Sequence, residues 1–237
     1  MWGYIIPPSA GLYMMGREKY DNSRPDPSAM VAMLSPKKMK AIIFDWGGVL
    51  IDSPAPGMLA LFAHELGVTP EAVNNAYRPF AGRFQRGQIT EHDLWEGLCA
   101  ALGVDKPYDP LLWEHVFEQV YTPKEEMFVL ASRLKDRGYK VGLLSNTESP
   151  TVRFFHRQGY AMFDATVFSC EEGTAKPERR IYKIALERLE VKPSETVFID
   201  DRADFIEGAQ KVGIRTIRFE NPQQVKEALA SLGILPS

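Results

Sequence analysis

The chain has 237 residues, 45% of them hydrophobic and 25% charged, the balance of an ordinary folded protein rather than a disordered or fibrous one. That length accommodates one large domain, or one domain carrying a smaller insert. A net charge of −3 offers no basic field to nucleic acid or to an acidic membrane, and no run of about 18 apolar residues reads as a membrane span.

Residues 1–39 carry Pro7, Pro8, Pro25, Pro27 and Pro36 and hold no helical or strand period, so they read as a poorly ordered extension. Met33 or Met39 would begin the domain cleanly. The opening run to Pro8 lacks a basic stretch and is cut by prolines, unlike a signal peptide, and the expected compartment is the cytoplasm. Cys99 and Cys170 match no metal-ligand spacing and read as reduced thiols.

Ala41 to Asp45 is an apolar run ending in a carboxylate, followed by Gly47 and Gly48. Such a run is a strand covered on both faces, and ligands bind at the carboxyl edge of such sheets. Leu59, Phe62, Ala63 and Leu66 then fall at i, i+3, i+4 and i+7, a helix ended by Gly67. Thr90 with Asp93 reads as a further helix start. The block 55–122 contains no strand pattern and reads as a helical insert. Trp95 and Trp113 read as its core, and Arg83 and Arg86 as a solvated face.

Beyond it the pattern alternates. Tyr139 to Ser145, Ala165 to Ser169, Thr196 to Ile199 and Ile214 to Phe219 read as strands, with amphipathic helices between and after them. Ser149-Pro150 and Lys176-Pro177-Glu178 read as helix entries with proline at the first position. This alternation predicts right-handed crossovers and a parallel sheet. The expected fold is a doubly wound, Rossmann-like α/β core (40–54 and 123–237) with the helical block inserted after the first strand.

Chemistry collects at the strand ends. The first strand ends in Asp45, the second in Ser145-Asn146-Thr147 and the fourth in Asp200-Asp201, while Lys176 lies between the third and fourth. A parallel sheet brings these ends together. Carboxylates hold a hard cation such as Mg²⁺ through oxygen, and an ammonium with polar donors neutralises a phosphoryl group. None of the histidines His64, His92, His115 or His156 has a partner spaced for zinc.

From Met39 to about Leu232 the chain resembles the haloacid dehalogenase-like hydrolase superfamily. The resemblance rests on Phe44-Asp45-Trp46-Gly47-Gly48-Val49-Leu50, Leu144-Ser145-Asn146, Lys176-Pro177-Glu178 with Ile181-Tyr182, and Val197-Phe198-Ile199-Asp200-Asp201-Arg202, in family order. The insert is similar to the small helical cap of that superfamily. Phe84 to Thr90 in particular resembles the cap of bacterial sugar-1-phosphate phosphatases, such as the α-D-glucose-1-phosphate enzymes.

The resemblance implies a Mg²⁺-dependent phosphatase acting on a small phosphorylated metabolite, with neither nucleic acid nor membrane as partner. The oligomeric state, monomer or homodimer, stays open. Asp45 would be the nucleophile that becomes an aspartyl-phosphate. The metal would be held by Asp45, the Gly47 carbonyl and Asp201, with Asp200 behind. Ser145, Asn146 and Lys176 would bind the phosphoryl group.

The chain departs from the family in two places. Gly47 stands where most of the superfamily's phosphatases carry an acid–base Asp, and Asp52, Glu148, His64 or Arg83 would have to supply the proton. Phe205 stands where Asn or Asp is usual, with Asp204 beside it. Gly47 leaves two alternatives: a 2-haloacid dehalogenase, a branch that also lacks that Asp, and a non-catalytic binding protein of the same fold. The Asp200-Asp201 pair favours the phosphatase.

Overall fold

The structure, a computed structural model, describes residues 38–236. Apart from Lys38 and Met39, the expected extension lies outside the described residues. Strands β1 (Ala41–Phe44), β2 (Lys140–Ser145), β3 (Ala165–Phe168), β4 (Thr196–Asp200) and β5 (Arg215–Arg218) form one parallel sheet in the order β3-β2-β1-β4-β5. β1 and β4 are buried along their whole length, as the interior of a parallel sheet requires, whereas edge strand β5 exposes Arg215 and Arg218.

The period of two along β1 shows why both faces are apolar. Ile42 and Phe44 point into one core with α5 (Glu125–Asp136), α6 (Ser149–Arg157) and α10 (Pro222–Ser231). Ala41 and Ile43 point into the other, with α8 (Arg179–Arg188) and α9 (Ala203–Gln210). The doubly wound α/β core is therefore as expected. Between β1 and β2 the chain forms α1 (Ala55–Leu66), α2 (Pro70–Phe84), α3 (Glu91–Leu102) and α4 (Leu112–Val120). Thr90 caps α3 as predicted, its hydroxyl and the Asp93 carboxylate exchanging bonds with each other's backbone N–H. The helical block's core runs into the sheet's, with Trp46 edge-on to Phe117 of α4 and Phe155 of α6.

Two helix entries differ from the sequence reading. Ser149 is the first residue of α6 and Glu148 holds the cap position without capping it, because the Glu148 side chain turns toward Tyr77 instead. Pro177 lies outside α8, which begins at Arg179; the Lys176–Pro177 bond is cis, and Glu178 faces Thr174 and Arg86. The third strand is also shorter than expected, since Ser169 opens the short helix α7 (Ser169–Glu172).

Candidate active site

The site lies where β1 adjoins β4. β2 and β3 extend the sheet to one side and β4 and β5 to the other, so the crevice at the carboxyl ends of β1 and β4 is the switch point of a doubly wound sheet. Asp45 follows β1 directly, its N–H still bonded to the Ile199 carbonyl of β4 at 2.9 Å. Asp200 ends β4 and Asp201 follows it. Ligand oxygens of Asp45, Asp200 and Asp201 all lie within 4.8 Å of one another.

Lys176 enters this cluster from the loop before α8, and its ammonium lies 2.7 Å from Asp45 Oδ1 and 2.7 Å from Asp200 Oδ2. The ammonium also faces the rings of Phe205 (4.8 Å) and Phe198 (5.5 Å). Phe205 therefore puts an aromatic face on Lys176. Asp204 stays exposed, paired with Arg202 at 2.8 Å, and does not enter the cluster in its place.

Three buried or half-buried carboxylates around one ammonium leave a negative excess. Burial, with the Asp200 charge added, pushes Asp45 up to about 7 against the pull of Lys176. Burial and Asp200 likewise raise Asp201. Burial works against the Lys176 ammonium, but Asp45 and Asp200 outweigh it and hold its pKa above the ordinary value. A divalent cation reverses this penalty on the carboxylates, and the all-oxygen donor set fits a hard ion.

The three acids are not equivalent. Asp200 is fully buried, accepts from Lys176 through Oδ2, and accepts from the Arg202 N–H through Oδ1 at 2.9 Å. It is held as an orienting group. Asp201 is half-buried, and Gly48 gives it room: a Cβ on Gly48, whose φ is +92°, would meet Asp201 Oδ2 at 2.6 Å. Only glycine satisfies both the positive φ and that approach. Gly47 is different, since a Cβ there would meet nothing nearer than Pro54 at 3.6 Å. The missing Asp has not been displaced by a neighbour.

Ser145 and Asn146 at the end of β2 are brought to the same edge. The Asn146 amide donates to the Lys176 carbonyl (3.0 Å) and accepts from the Lys176 N–H (2.8 Å), so it clamps the Lys176 backbone.

The substitutes for the missing acid separate clearly. Asp52 is exposed and paired with Lys124, while His64 and Arg83 are exposed. Glu148 is buried and lines a cavity of about 270 Å³ whose wall includes Gly47, Ser145 and Asn146. Burial raises its carboxyl despite hydrogen bonds from Gln85 and Tyr77. Trp95 and Trp113 are buried in the helical block's core, as expected, but also line this cavity.

Two features escaped the sequence reading. The cavity is walled mainly by apolar side chains from α1 to α4, apolar for ordinary core reasons, with Asn74 and Tyr77 of α2 among them. Arg86, expected on a solvated face, bonds Glu178 at 3.1 Å in an exposed pair, a partner that its own stretch does not indicate. Beside it Gly87 (φ +64°) passes so close to the Cys170 carbonyl that a Cβ there would collide with it.

A family model described as haloacid dehalogenase-like hydrolase matches residues 39–213. Acyl-CoA dehydrogenase family member 10 of Mus musculus is 32% identical over 210 residues, 83% of this chain but 19% of that one, so the chain spans about a fifth of this relative. Sesquiterpene phosphatase astK of Aspergillus oryzae is 28% identical over 180 residues, covering 74% and 87% of the two chains. (S)-2-haloacid dehalogenase 4A of Burkholderia cepacia is 28% identical over 210 residues, covering 80% and 88%. A family enzyme of Bacteroides thetaiotaomicron, solved as its magnesium complex, superposes with a TM-score of 0.64 at 25% identity over 78% of this chain and 94% of that one.

Proposed function

The chain belongs to the haloacid dehalogenase-like hydrolase family, and within it we propose that it is a Mg²⁺-dependent phosphatase of a phosphomonoester. The observation that carries this is the cluster of Asp45, Asp200 and Asp201 with its negative excess over Lys176. A halide-releasing site has no use for carboxylates whose charge only a cation balances. Asp45, Asp201 and the Gly47 carbonyl would hold the metal, with Asp200 orienting from behind. The bound metal supplies positive charge to the phosphoryl oxygens.

The chain's own groups then account for the reaction. A carboxylate oxygen of Asp45 attacks phosphorus, and the bond from phosphorus to the alcohol oxygen breaks. Lys176 and the Ser145 hydroxyl bind the phosphoryl oxygens as charge builds on them. Asn146 contributes its main chain, its side chain being engaged with Lys176. Glu148 gives its proton to the leaving alkoxide and takes one from the water that attacks the aspartyl-phosphate. The alcohol and inorganic phosphate leave, and Asp45 and Glu148 return to their starting states. Helices α1 to α4 act as the cap over this chemistry.

The test is hydrolysis of p-nitrophenyl phosphate by the purified full chain. Turnover should require Mg²⁺ and stop with EDTA. Metal-independent halide release from 2-chloropropionate, without phosphate release, would transfer the protein to the dehalogenating branch. Silence in both would favour a binding role.

Glu148 has its own signature. Glu148→Gln should lower kcat on alkyl phosphates by about 10²–10⁴ yet leave p-nitrophenyl phosphate nearly untouched, because nitrophenolate departs without a proton. Equal losses on both substrates would remove Glu148 from the proton-transfer role.

A further inference from the structure

The cavity beside the phosphoryl-binding groups has a composition that bears on what is bound there. Its wall includes Met58, Phe62, Val73, Trp95, Leu98 and Phe117, all buried and apolar, and at one side it reaches Gly47 and Ser145. A phosphoryl group held at Ser145 and Lys176 would direct its ester substituent into this space.

Most of the cavity's polar groups are already engaged with protein, leaving the buried Trp46 indole N–H and the Asn74 amide as the donors open to a ligand. The Tyr77 hydroxyl donates to Glu148 at 3.2 Å, and Gln85 bonds the same carboxyl. The Trp113 indole N–H donates to the Thr151 hydroxyl at 3.1 Å, and the Trp95 N–H faces Glu91 at 3.4 Å. The Asn146 amide is held by the Lys176 backbone. A sugar ring placed here would lose the water around several hydroxyls and find few partners in exchange. A hydrocarbon would lose nothing of that kind, and its burial is favourable.

We propose that the substrate is the phosphate monoester of an apolar alcohol, whose hydrocarbon group occupies the cavity between α1–α4 and the carboxyl edge of the sheet. This rests on the phosphatase reading above and narrows it away from sugar phosphates. Glu148 is then the one acidic group in a largely hydrocarbon wall, placed among groups that exclude water from the leaving oxygen.

The experiment compares initial rates of the Mg²⁺-loaded full chain on methyl, butyl and octyl phosphate, glucose 1-phosphate and p-nitrophenyl phosphate. kcat/KM should rise about three- to fourfold per added CH₂ until the cavity is filled. Octyl phosphate should exceed glucose 1-phosphate at least about a hundredfold. A flat alkyl series, or glucose 1-phosphate matching octyl phosphate while p-nitrophenyl phosphate is hydrolysed, overturns the substrate class and leaves the phosphatase standing. No hydrolysis of any ester overturns both. Leu59, half-buried in the wall, supplies the variants. Leu59→Trp should shorten the longest chain accepted, and Leu59→Asn, near in volume, should flatten the series. An unchanged series in both variants counts against the cavity.

Discussion

Asp45→Asn is expected to lose turnover by a factor on the order of 10⁴–10⁶, as removal of a nucleophile does, and yet to be more stable than the parent when metal is absent. The first effect follows from the covalent role: an amide cannot form the acyl-phosphate. The second follows from the surroundings of Asp45, where burial and Asp200 raise the carboxyl from 3.8 to about 7. A group with a raised folded pKa binds its proton more tightly in the folded state. Its stabilising contribution is complete below 3.8 and is lost as pH rises through about 7. Above that pH the metal-free fold carries an ionised carboxylate in a site that favours the neutral acid, at a cost of up to about 4 kcal/mol. Asparagine is neutral at every pH and escapes it. Thermal melts in EDTA should therefore lie closest below about pH 4 and diverge as pH rises toward 8, with the variant higher. Added Mg²⁺ should raise the parent's Tm more than the variant's, since the variant lacks one ligand. A gap in Tm that does not change with pH would contradict this account of Asp45.

That antagonism between stability and chemistry was partly visible in the chain itself. Ile42, Ile43 and Phe44 could only be a doubly covered strand, and a carboxylate at its end had to lie near the ends of its neighbours. The strand pattern fixes which residues converge because a parallel sheet has one carboxyl edge. What it does not encode is side-chain partnership across long separations. Arg86 and Glu178 meet over 92 positions, and nothing in either local pattern distinguishes a bonded arginine from a solvated one. Asn146 lies at the carboxyl edge, but its amide faces the Lys176 backbone, which depends on how the loop before α8 returns. The cavity was hidden for another reason. Phe62, Trp95 and Leu98 obey the helical period of core residues, and that period is the same whether the interior they face is filled or hollow. Which acid replaces the one missing at Gly47 likewise needed burial: Asp52 and Glu148 look alike as letters, and only Glu148 lies in the cavity wall.

Lys176→Met should be the most damaging single change to the fold among the site residues. Methionine keeps the length and much of the volume of the chain against Phe198 and Phe205, so packing survives while the ammonium goes. Asp45 and Asp200, each 2.7 Å from that ammonium, then face each other buried without a counter-charge. Removing one partner of a buried ion pair costs about 3–5 kcal/mol. Protonation of Asp45 relieves that cost, so the loss should be small at acidic pH and grow as pH rises through its raised value of about 7. A cation in the cluster relieves it too. Urea unfolding of the variant should thus show a deficit at pH 8 that shrinks both at pH 5 and on adding Mg²⁺, whereas turnover stays lost by about 10²–10³ even with metal, because the phosphoryl group has lost its ammonium. A deficit indifferent to both pH and Mg²⁺ would mean that Lys176 holds the fold through its aliphatic contacts alone. Restored stability with restored turnover would mean that the cation, not the lysine, carries the charge balance at Asp45.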